Sequence, residues 1–236
     1  MEFELNKNMA ILFVIILIIG IGATYFAVET INKDKINLLN EDIDELKNEV
    51  ETKNNEINTL ENEGENFTYH LLRSMSIVDT SREIRARGNL YFDYAARIWF
   101  PQEEYQKVID NCSRAMTNYT NASKKFDLAE DYFIETKDYT SVPAYQTVLN
   151  LYIDLTKSGY SLSMLRYNAS MLISDIAEKL LNESYAENTT ELIEEFNATL
   201  MQFDGMYQQG FSAQQEIVKE IEKEYEGFFN PNREIP

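Results

Sequence analysis

The chain has 236 residues, with 40 acidic and 21 basic side chains and a net charge of −19, so nucleic acid is not an expected partner. Its 8 glycines and 4 prolines are few, which disfavours a β-sandwich and favours long helices. The single histidine, His70, and the single cysteine, Cys112, exclude paired-histidine and clustered-cysteine metal motifs.

The motifs of common enzyme sites are missing from the sequence. It contains no Gly-rich phosphate loop, no GxSxG and no EF-hand loop, and its acidic runs resemble solvated helix faces. We therefore predict a non-enzymatic protein with no catalytic residue, no metal site and no cofactor. Cys112 is either a buried small residue or an intermolecular bridge, and its place on an apolar stripe favours burial.

The first predicted element follows a short cytoplasmic N-terminus, residues 1–8. Residues 9–28 carry no charge, and as a helix they would extend about 30 Å, the thickness of a bilayer's hydrocarbon core. This pattern predicts a retained, single-pass transmembrane anchor in contact with membrane lipid.

Two alternatives to this anchor stay open. A secretory signal would have its apolar core at residues 11–19 and a small-residue cleavage site within 20–23. Against it, the preceding residues are not basic overall, and the apolar run continues through residues 25–28. A pilin-like N-terminal helix is the other alternative, but the usual basic-Gly processing site is missing.

The side of the membrane is predicted from Asn-X-Ser/Thr acceptors, because lysines flank the apolar segment on both sides. The chain has 8 such acceptors, roughly threefold more than random placement of its 22 Asn and 28 Ser or Thr residues gives. All follow residue 65, which predicts N-linked glycans on an extracellular C-terminal part, although an Asn/Ser/Thr-rich composition is the alternative. The acceptors are Asn66, Asn111, Asn118, Asn121, Asn168, Asn182, Asn188 and Asn197.

Residues 29–63 are predicted to form a coiled-coil stalk. Four heptads place β-branched residues at a and mostly Leu at d, a pattern typical of a parallel two-stranded coiled coil. We expect a parallel homodimer, or other protein partners, through residues 36–60, with Lys53 at d as a polar exception; packing of a single amphipathic helix on the chain's own bundle is the alternative. The interface positions are Ile36, Leu39, Ile43, Leu46, Val50, Ile57 and Leu60.

Residues 64–230 are predicted to form an elongated, antiparallel, four-helix-type ectodomain, followed by a tail at 231–236, so that the fold class is all-α. We place a joint at 62–66, a first bundle helix at 67–100, a second from Pro101 to about 137, a third after a break at 140–143, and a fourth from about Asn188 to Gly227. The predicted core stripes follow helical spacing. On the first bundle helix they are Leu71, Ser74, Val78, Ser81, Gly88, Phe92, Ala95 and Trp99, and on the second Val108, Cys112, Ala115, Tyr119, Ala122, Phe126, Ala129 and Phe133. On the third they are Leu149, Tyr152, Leu155, Gly159, Leu162, Ala169, Leu172, Ile176 and Leu180, and on the fourth Phe196, Leu200, Phe203, Tyr207, Ile217, Ile221 and Phe228.

Five arginines on the first bundle helix are unusual in so acidic a chain: Arg73, Arg82, Arg85, Arg87 and Arg97. Pairing with acids of neighbouring helices is the ordinary interpretation, but Arg82, Arg85 and Arg87 are also candidate contacts for a ligand or a partner.

Taken together, these patterns predict an anchored, glycosylated cell-surface protein of an archaeal envelope layer or surface complex. The alternative is a ligand-binding, sensor-type bundle that works with a separate signalling partner.

Overall fold

The structure, a computed structural model, describes residues 7–182 and 189–229, with side chains over 12–182 and 189–225. Every element in these ranges is a helix, and they contain no strand, so the all-α prediction is confirmed for the described part of the chain. The helices are α1 (Lys7–Asp93), a π-helix (Tyr94–Trp99), a 3-10 helix (Phe100–Gln102), α2 (Tyr105–Thr136), a 3-10 turn (Lys137–Tyr139), α3 (Pro143–Leu181) and α4 (Thr189–Phe229).

The chain divides into two compact units, Met1–Glu61 and Asn62–Pro236. In the first unit, every side chain from residue 12 onward is exposed, including an unbroken run of large apolar ones. Within the described ranges, α1 is the helix that is long and apolar enough to cross a membrane, and a signal sequence near an N-terminus meets the same criteria.

The second unit is a helical bundle. Contacts between consecutive helices pair residues in opposite order along the chain, so each helix runs against the one before it, and α4 also contacts α1. The pairs that show this are Arg73–Tyr132 and Gly88–Tyr119 for α1 with α2, Phe126–Gly159 and Phe133–Tyr152 for α2 with α3, Tyr152–Tyr225 and Arg166–Asp204 for α3 with α4, and Arg85–Gln214 and Asn89–Tyr207 for α1 with α4.

The apolar stripe of α2 supplies the centre of the core. Its eight predicted members, from Val108 to Phe133, are all 0% exposed, as the unbroken spacing of three and four residues predicts. On α1, the small residues of the predicted stripe, Ser74, Ser81 and Gly88, are also buried, and a Cβ added at Gly88 would lie 2.7 Å from the Tyr119 ring. These small side chains let the aromatic residues of α2 reach the backbone of α1.

The core consists of two apolar clusters. One is built around Phe92, Tyr119 and Ile173, and the other around Phe126, Phe133 and Leu155. On three helices, a stretch of mainly polar or small residues separates the part that belongs to one cluster from the part that belongs to the other. These stretches are 85–90 on α1, 156–166 on α3 and 204–216 on α4, and together they form a polar layer between the clusters.

The end of α1 differs from the prediction because of the π-helix. One turn of a π-helix holds more residues than an α-turn, so the inward-facing position moves along the chain. Phe100, 6% exposed, therefore takes the core place predicted for Trp99, and it stacks on Phe196 with ring centroids 3.4 Å apart. Trp99 is only partly buried.

The prediction that α2 starts at Pro101 is wrong. Pro101 lies in the 3-10 helix, and the chain then passes through Glu103, whose φ of 59° is left-handed. Glu103 N–H donates to the Phe100 carbonyl and Glu104 N–H to the Trp99 carbonyl, so these bonds close the turn before α2 begins at Tyr105.

The core stripe of α3 was predicted wrongly at Leu172, which is 37% exposed. Arg166 occupies the core position four residues after Leu162, and it is only 5% exposed. The next core positions are Ala169 and then Ile173, both 0% exposed, so the stripe follows the helical period through a charged residue.

The boundary between the two units falls between Glu61 and Asn62, beside the predicted joint at 62–66. The helix itself is not interrupted there, because an exposed glycine such as Gly64 costs a helix only about 1 kcal/mol. Gly227 likewise lies inside α4. The predicted break before α3 is confirmed, and the described part of α4 runs from Thr189. The predictions for residues 1–6, Asn188 and the tail at 231–236, and for the Phe228 side chain, lie outside what the structure describes.

Candidate functional site

The polar layer between the apolar clusters begins at Arg85, which is 6% exposed. Arg85 Nη2 donates a hydrogen bond of 2.8 Å to Gln214 Oε1, and Gln214 Nε2 donates one of 3.4 Å to the Leu155 carbonyl oxygen. This chain of bonds joins α1, α4 and α3 through the interior of the bundle.

The Arg85 guanidinium is a buried cation with no carboxylate partner among the described side chains. Its Nη1 is buried and has no hydrogen-bond partner there. Burial lowers the pKa of Arg85, with a smaller opposing effect from Tyr207. A buried charge without a counter-ion is unfavourable, so the surroundings of Arg85 favour an anionic or strongly polar group.

Asp204 on α4 binds two further arginines. Its Oδ1 accepts a bond of 2.7 Å from Arg166 Nη1, and its Oδ2 accepts one of 2.7 Å from Arg97 Nη2. The guanidinium of Arg166 also lies between the rings of Phe92 and Tyr207, 4.4 and 4.2 Å from their centroids. Asp204 thus neutralises a buried cation and links α3 to the π-helix.

A third set of bonds completes the layer. Tyr119 OH donates to Asn89 Oδ1 at 2.9 Å, and Asn89 Nδ2 donates to Tyr207 OH at 3.0 Å. Burial raises the pKa of Tyr119, so its hydroxyl stays neutral and can act as a donor. Each helix of the bundle therefore contributes at least one member, which fixes the axial alignment of the helices.

Sequence reasoning missed half of this layer. Arg166, Asp204 and Gln214 belong to no recognisable sequence motif. The core stripes were predicted from apolar residues, so a polar residue at a core position was not identified. A usable signal was their register: Arg166 lies four residues after Leu162, and Gln214 seven after Tyr207, both at core positions.

A cleft of about 220 Å³ opens between α1, α3 and α4. Side chains such as Val78, Leu155 and Ile221, all at least 94% buried, give it an apolar wall. It lies next to the polar layer, because Leu155 also accepts the hydrogen bond from Gln214.

The polar groups of the cleft come from the same three helices. Arg82 is half-buried and forms an ion pair of 3.7 Å with Asp79, while Glu222 on α4 is exposed. Tyr152 OH and Tyr225 OH are hydrogen-bonded at 3.2 Å, and burial raises the pKa of Tyr152. One guanidinium, two carboxylates and two phenolic hydroxyls therefore line one apolar cleft.

The structure does not bring the three candidate contact arginines together. Arg82 lines the cleft, Arg85 lies in the polar layer and Arg87 is exposed outside the cleft. The ordinary interpretation, pairing with acids of neighbouring helices, holds for Arg97 with Asp204. Arg73 instead lies over the Tyr132 ring, 4.4 Å from its centroid.

His70 lies among aromatic rings. It stacks on Tyr139 with centroids 5.0 Å apart, meets Tyr69 edge-on and lies 6.2 Å from the Tyr132 centroid. Its Nδ1 is 3.6 Å from Glu135 Oε2, which is beyond hydrogen-bond distance.

The predicted glycan acceptors lie on the outside of the helices. Of the seven that the structure describes, five are exposed, and Asn111 and Asn118 are partly buried. In each of these two, the side-chain amide donates to a carbonyl one turn earlier, Lys107 O or Arg114 O, at 2.8 Å. The most accessible acceptors are Asn66, Asn121, Asn168, Asn182 and Asn197.

The predicted stalk interface is an exposed apolar stripe. Its seven residues, from Ile36 to Leu60, are between 47% and 66% exposed. Lys53, at a d position, forms an ion pair of 2.8 Å with Glu56 of its own helix. The stripe has the same heptad register as the buried face of α1 in the second unit.

Cys112 is buried, as predicted, and burial raises its thiol pKa to about 12. Within the described ranges, no group of three or more His, Cys, Asp or Glu side chains is placed to hold a metal ion.

No protein family, curated protein sequence or solved structure matches this chain.

Proposed function

We propose that the chain is a non-enzymatic, membrane-anchored and N-glycosylated cell-surface protein. Residues 9–28 hold it in the membrane with the N-terminus in the cytoplasm, a two-stranded coiled coil at 29–63 joins it to a second copy, and an elongated, antiparallel four-helix bundle stands outside the cell. Its role is structural or interactive, as part of an archaeal envelope layer or surface complex.

The observation that carries this proposal is the apolar segment of α1. All its described side chains, from Leu12 to Val28, are exposed, although burying one Leu, Ile or Phe is worth about 1.5–3 kcal/mol. Thr24 Oγ1 donates to the Gly20 carbonyl at 2.7 Å, so this polar group is satisfied within the helix, as hydrocarbon surroundings require. Lipid is the solvent that fits such a surface.

The coiled coil and the glycans rest on further observations. The stalk stripe is apolar and exposed, and a second copy in parallel would cover it and place Asp42 opposite Lys47 of that copy. A shared membrane raises the effective concentration of the two copies. The described acceptors avoid the core, which suits a bundle that carries glycans.

Peptide and glycopeptide mass mapping of the protein from its native membrane tests this proposal. We expect an intact peptide that contains residues 9–28, and glycans on exposed acceptors such as Asn121, Asn168 and Asn197. Bare asparagines at full peptide coverage would make the acceptor excess compositional and would remove the main support for an extracellular bundle.

A second candidate function is a ligand-binding, sensor-type bundle that acts through a separate signalling partner. The cleft between α1, α3 and α4 favours it, because Arg82 and two tyrosine hydroxyls converge there on an apolar wall. Saturable binding of a small molecule that depends on Arg82 supports this function, whereas a cleft that binds nothing removes it.

A further inference from the structure

We propose that the cleft between α1, α3 and α4 binds an α-amino acid with an apolar side chain. The inference concerns binding alone, and it holds whether the protein is a spacer or the sensor of the second candidate function. A failed binding experiment would therefore leave the anchored, glycosylated topology untouched.

The size and wall of the cleft select a small, partly apolar ligand. Its volume of about 220 Å³ lies below the roughly 300–1,000 Å³ of sites for drug-sized molecules. Val78 and Leu155 are 2% exposed and Ile221 is 6% exposed, so this wall is held rigidly by the core. An aliphatic or aromatic side chain is the ligand part that gains from contact with it.

The charges of the cleft select a zwitterion. The ion pair of Arg82 with Asp79 is 3.7 Å long, beyond hydrogen-bond distance, so a ligand carboxylate can accept hydrogen bonds from the Arg82 guanidinium. The two acids, Asp79 and Glu222, exceed the single guanidinium, so a simple carboxylic acid is repelled while an ammonium group is attracted. A simple amine would lack a partner for Arg82.

The polar layer next to the cleft strengthens the case for a carboxylate. Arg85 lies one helical turn beyond Arg82, and the two guanidiniums repel each other. Its partner Gln214 lies one turn before Val218, another residue of the cleft wall. A ligand carboxylate near Arg82 therefore weakens the repulsion between the two guanidiniums, of which Arg85 has no carboxylate partner among the described side chains.

The test is calorimetric titration of the full chain in lipid nanodiscs at neutral pH. The ligands are leucine, valine, methionine and phenylalanine, together with two truncated forms of leucine. 4-Methylpentanoate keeps the carboxylate and lacks the amine, and 3-methylbutylamine keeps the amine and lacks the carboxylate. We expect saturable binding of at least one amino acid, and binding of each truncated form weaker than that of leucine by about tenfold or more.

Arg82→Gln separates ligand contact from a structural role. This substitution should weaken the binding of leucine by about tenfold or more, because it removes the contact with the ligand carboxylate. The affinity for 3-methylbutylamine, which has no carboxylate, should stay the same or increase. Arg87→Gln, on the same helix but outside the cleft, is the matched control and should bind leucine as the wild type does. Bundle stability of both variants is checked by urea unfolding, so that a folding defect is recognised.

Three results would overturn the proposal. One is the absence of saturable binding by any of the four amino acids at millimolar concentration. Another is 4-methylpentanoate that binds as tightly as leucine, which would show that the amine is not recognised. The last is equal loss of leucine affinity in Arg82→Gln and Arg87→Gln.

Discussion

At the scale of single residues, the bundle depends on how its buried charges are compensated. Arg166 is neutralised by Asp204, but the same carboxylate also binds Arg97, which is about half exposed. Partial burial acts to lower the pKa of Arg97, yet Asp204 and Asp93 outweigh it and hold this pKa above its ordinary value. The two ion pairs of Asp204 therefore contribute unequally to the stability of the bundle, because only Arg166 is deeply buried.

Asp204→Asn should destabilise the bundle by about 3 kcal/mol or more, since it leaves the buried Arg166 cation without a counter-ion. Asp93→Asn removes an exposed partner of the same Arg97, 3.0 Å away, and should cost about 1 kcal/mol or less. Urea unfolding followed by the fluorescence of Trp99, the single tryptophan, measures both changes. Equal losses in the two variants would show that the Arg166–Asp204 pair is not the stabilising one.

Two glycines give changes of opposite sign when they are replaced. A Cβ at Gly159 would lie 2.5 Å from the Phe126 ring, so Gly159→Ala should destabilise the bundle by about 1–3 kcal/mol through overpacking. At Gly205, an exposed position of α4, nothing lies within 4 Å of the added Cβ, and Gly205→Ala should stabilise by up to about 1 kcal/mol. A urea midpoint of Gly159→Ala that is unchanged or higher would contradict the packing described at Phe126, and a lower midpoint of Gly205→Ala would contradict the open space at that glycine.

At the scale of helices, the predictions succeeded where one periodic pattern decides the structure. The eight-residue stripe of α2 was predicted completely, because every core position is apolar or small. The stripe of α3 was lost after Leu162, where Arg166 takes a core position. The end of α1 was shifted by a π-helix, whose extra residue leaves no sign in the heptad pattern.

The candidate cleft could be predicted only in part. Arg82 is conspicuous in an acidic chain, and sequence reasoning singled it out. Tyr152, Glu222 and Tyr225 join the cleft only because α1, α3 and α4 meet side by side, and no local pattern shows which faces of distant helices come together. The polar layer is hidden for the same reason.

The stalk gives the prediction at this scale. Ile43 is at an a position of the proposed parallel coiled coil, so Ile43→Cys should form a disulfide-linked dimer when native membranes are mildly oxidised. Asn48 is at f, on the opposite face of the same turns, and Asn48→Cys should remain mostly monomeric on a non-reducing gel. The buried Cys112 should not cross-link in either variant.

A different pattern of cross-links would contradict the proposed seam. If Asn48→Cys cross-links as readily as Ile43→Cys, then the two copies collide without a defined interface. If neither does, the exposed stripe from Ile36 to Leu60 faces something other than a second copy in parallel.

At the scale of the whole molecule, two surfaces have opposite solvent requirements. The segment from Leu12 to Val28 is apolar and exposed, whereas the bundle has an acidic outer surface with the predicted glycan acceptors outside the core. A protein with both surfaces is stable where lipid covers the first and water the second. The proposed anchored topology rests on this contrast, and the proposed direction of insertion rests on the predicted acceptors.

The most direct test of this topology is labelling of intact cells with a membrane-impermeant maleimide. The native Cys112 should not react with the maleimide, because its thiol is buried and burial raises its pKa to about 12. Ser212→Cys places a thiol on the exposed face of α4, and Asn6→Cys places one before the apolar segment. We predict that Ser212→Cys is labelled in intact cells and that Asn6→Cys is labelled only after permeabilisation. The reverse pattern, or release into the medium of a labelled chain cleaved within residues 20–23, would contradict the account.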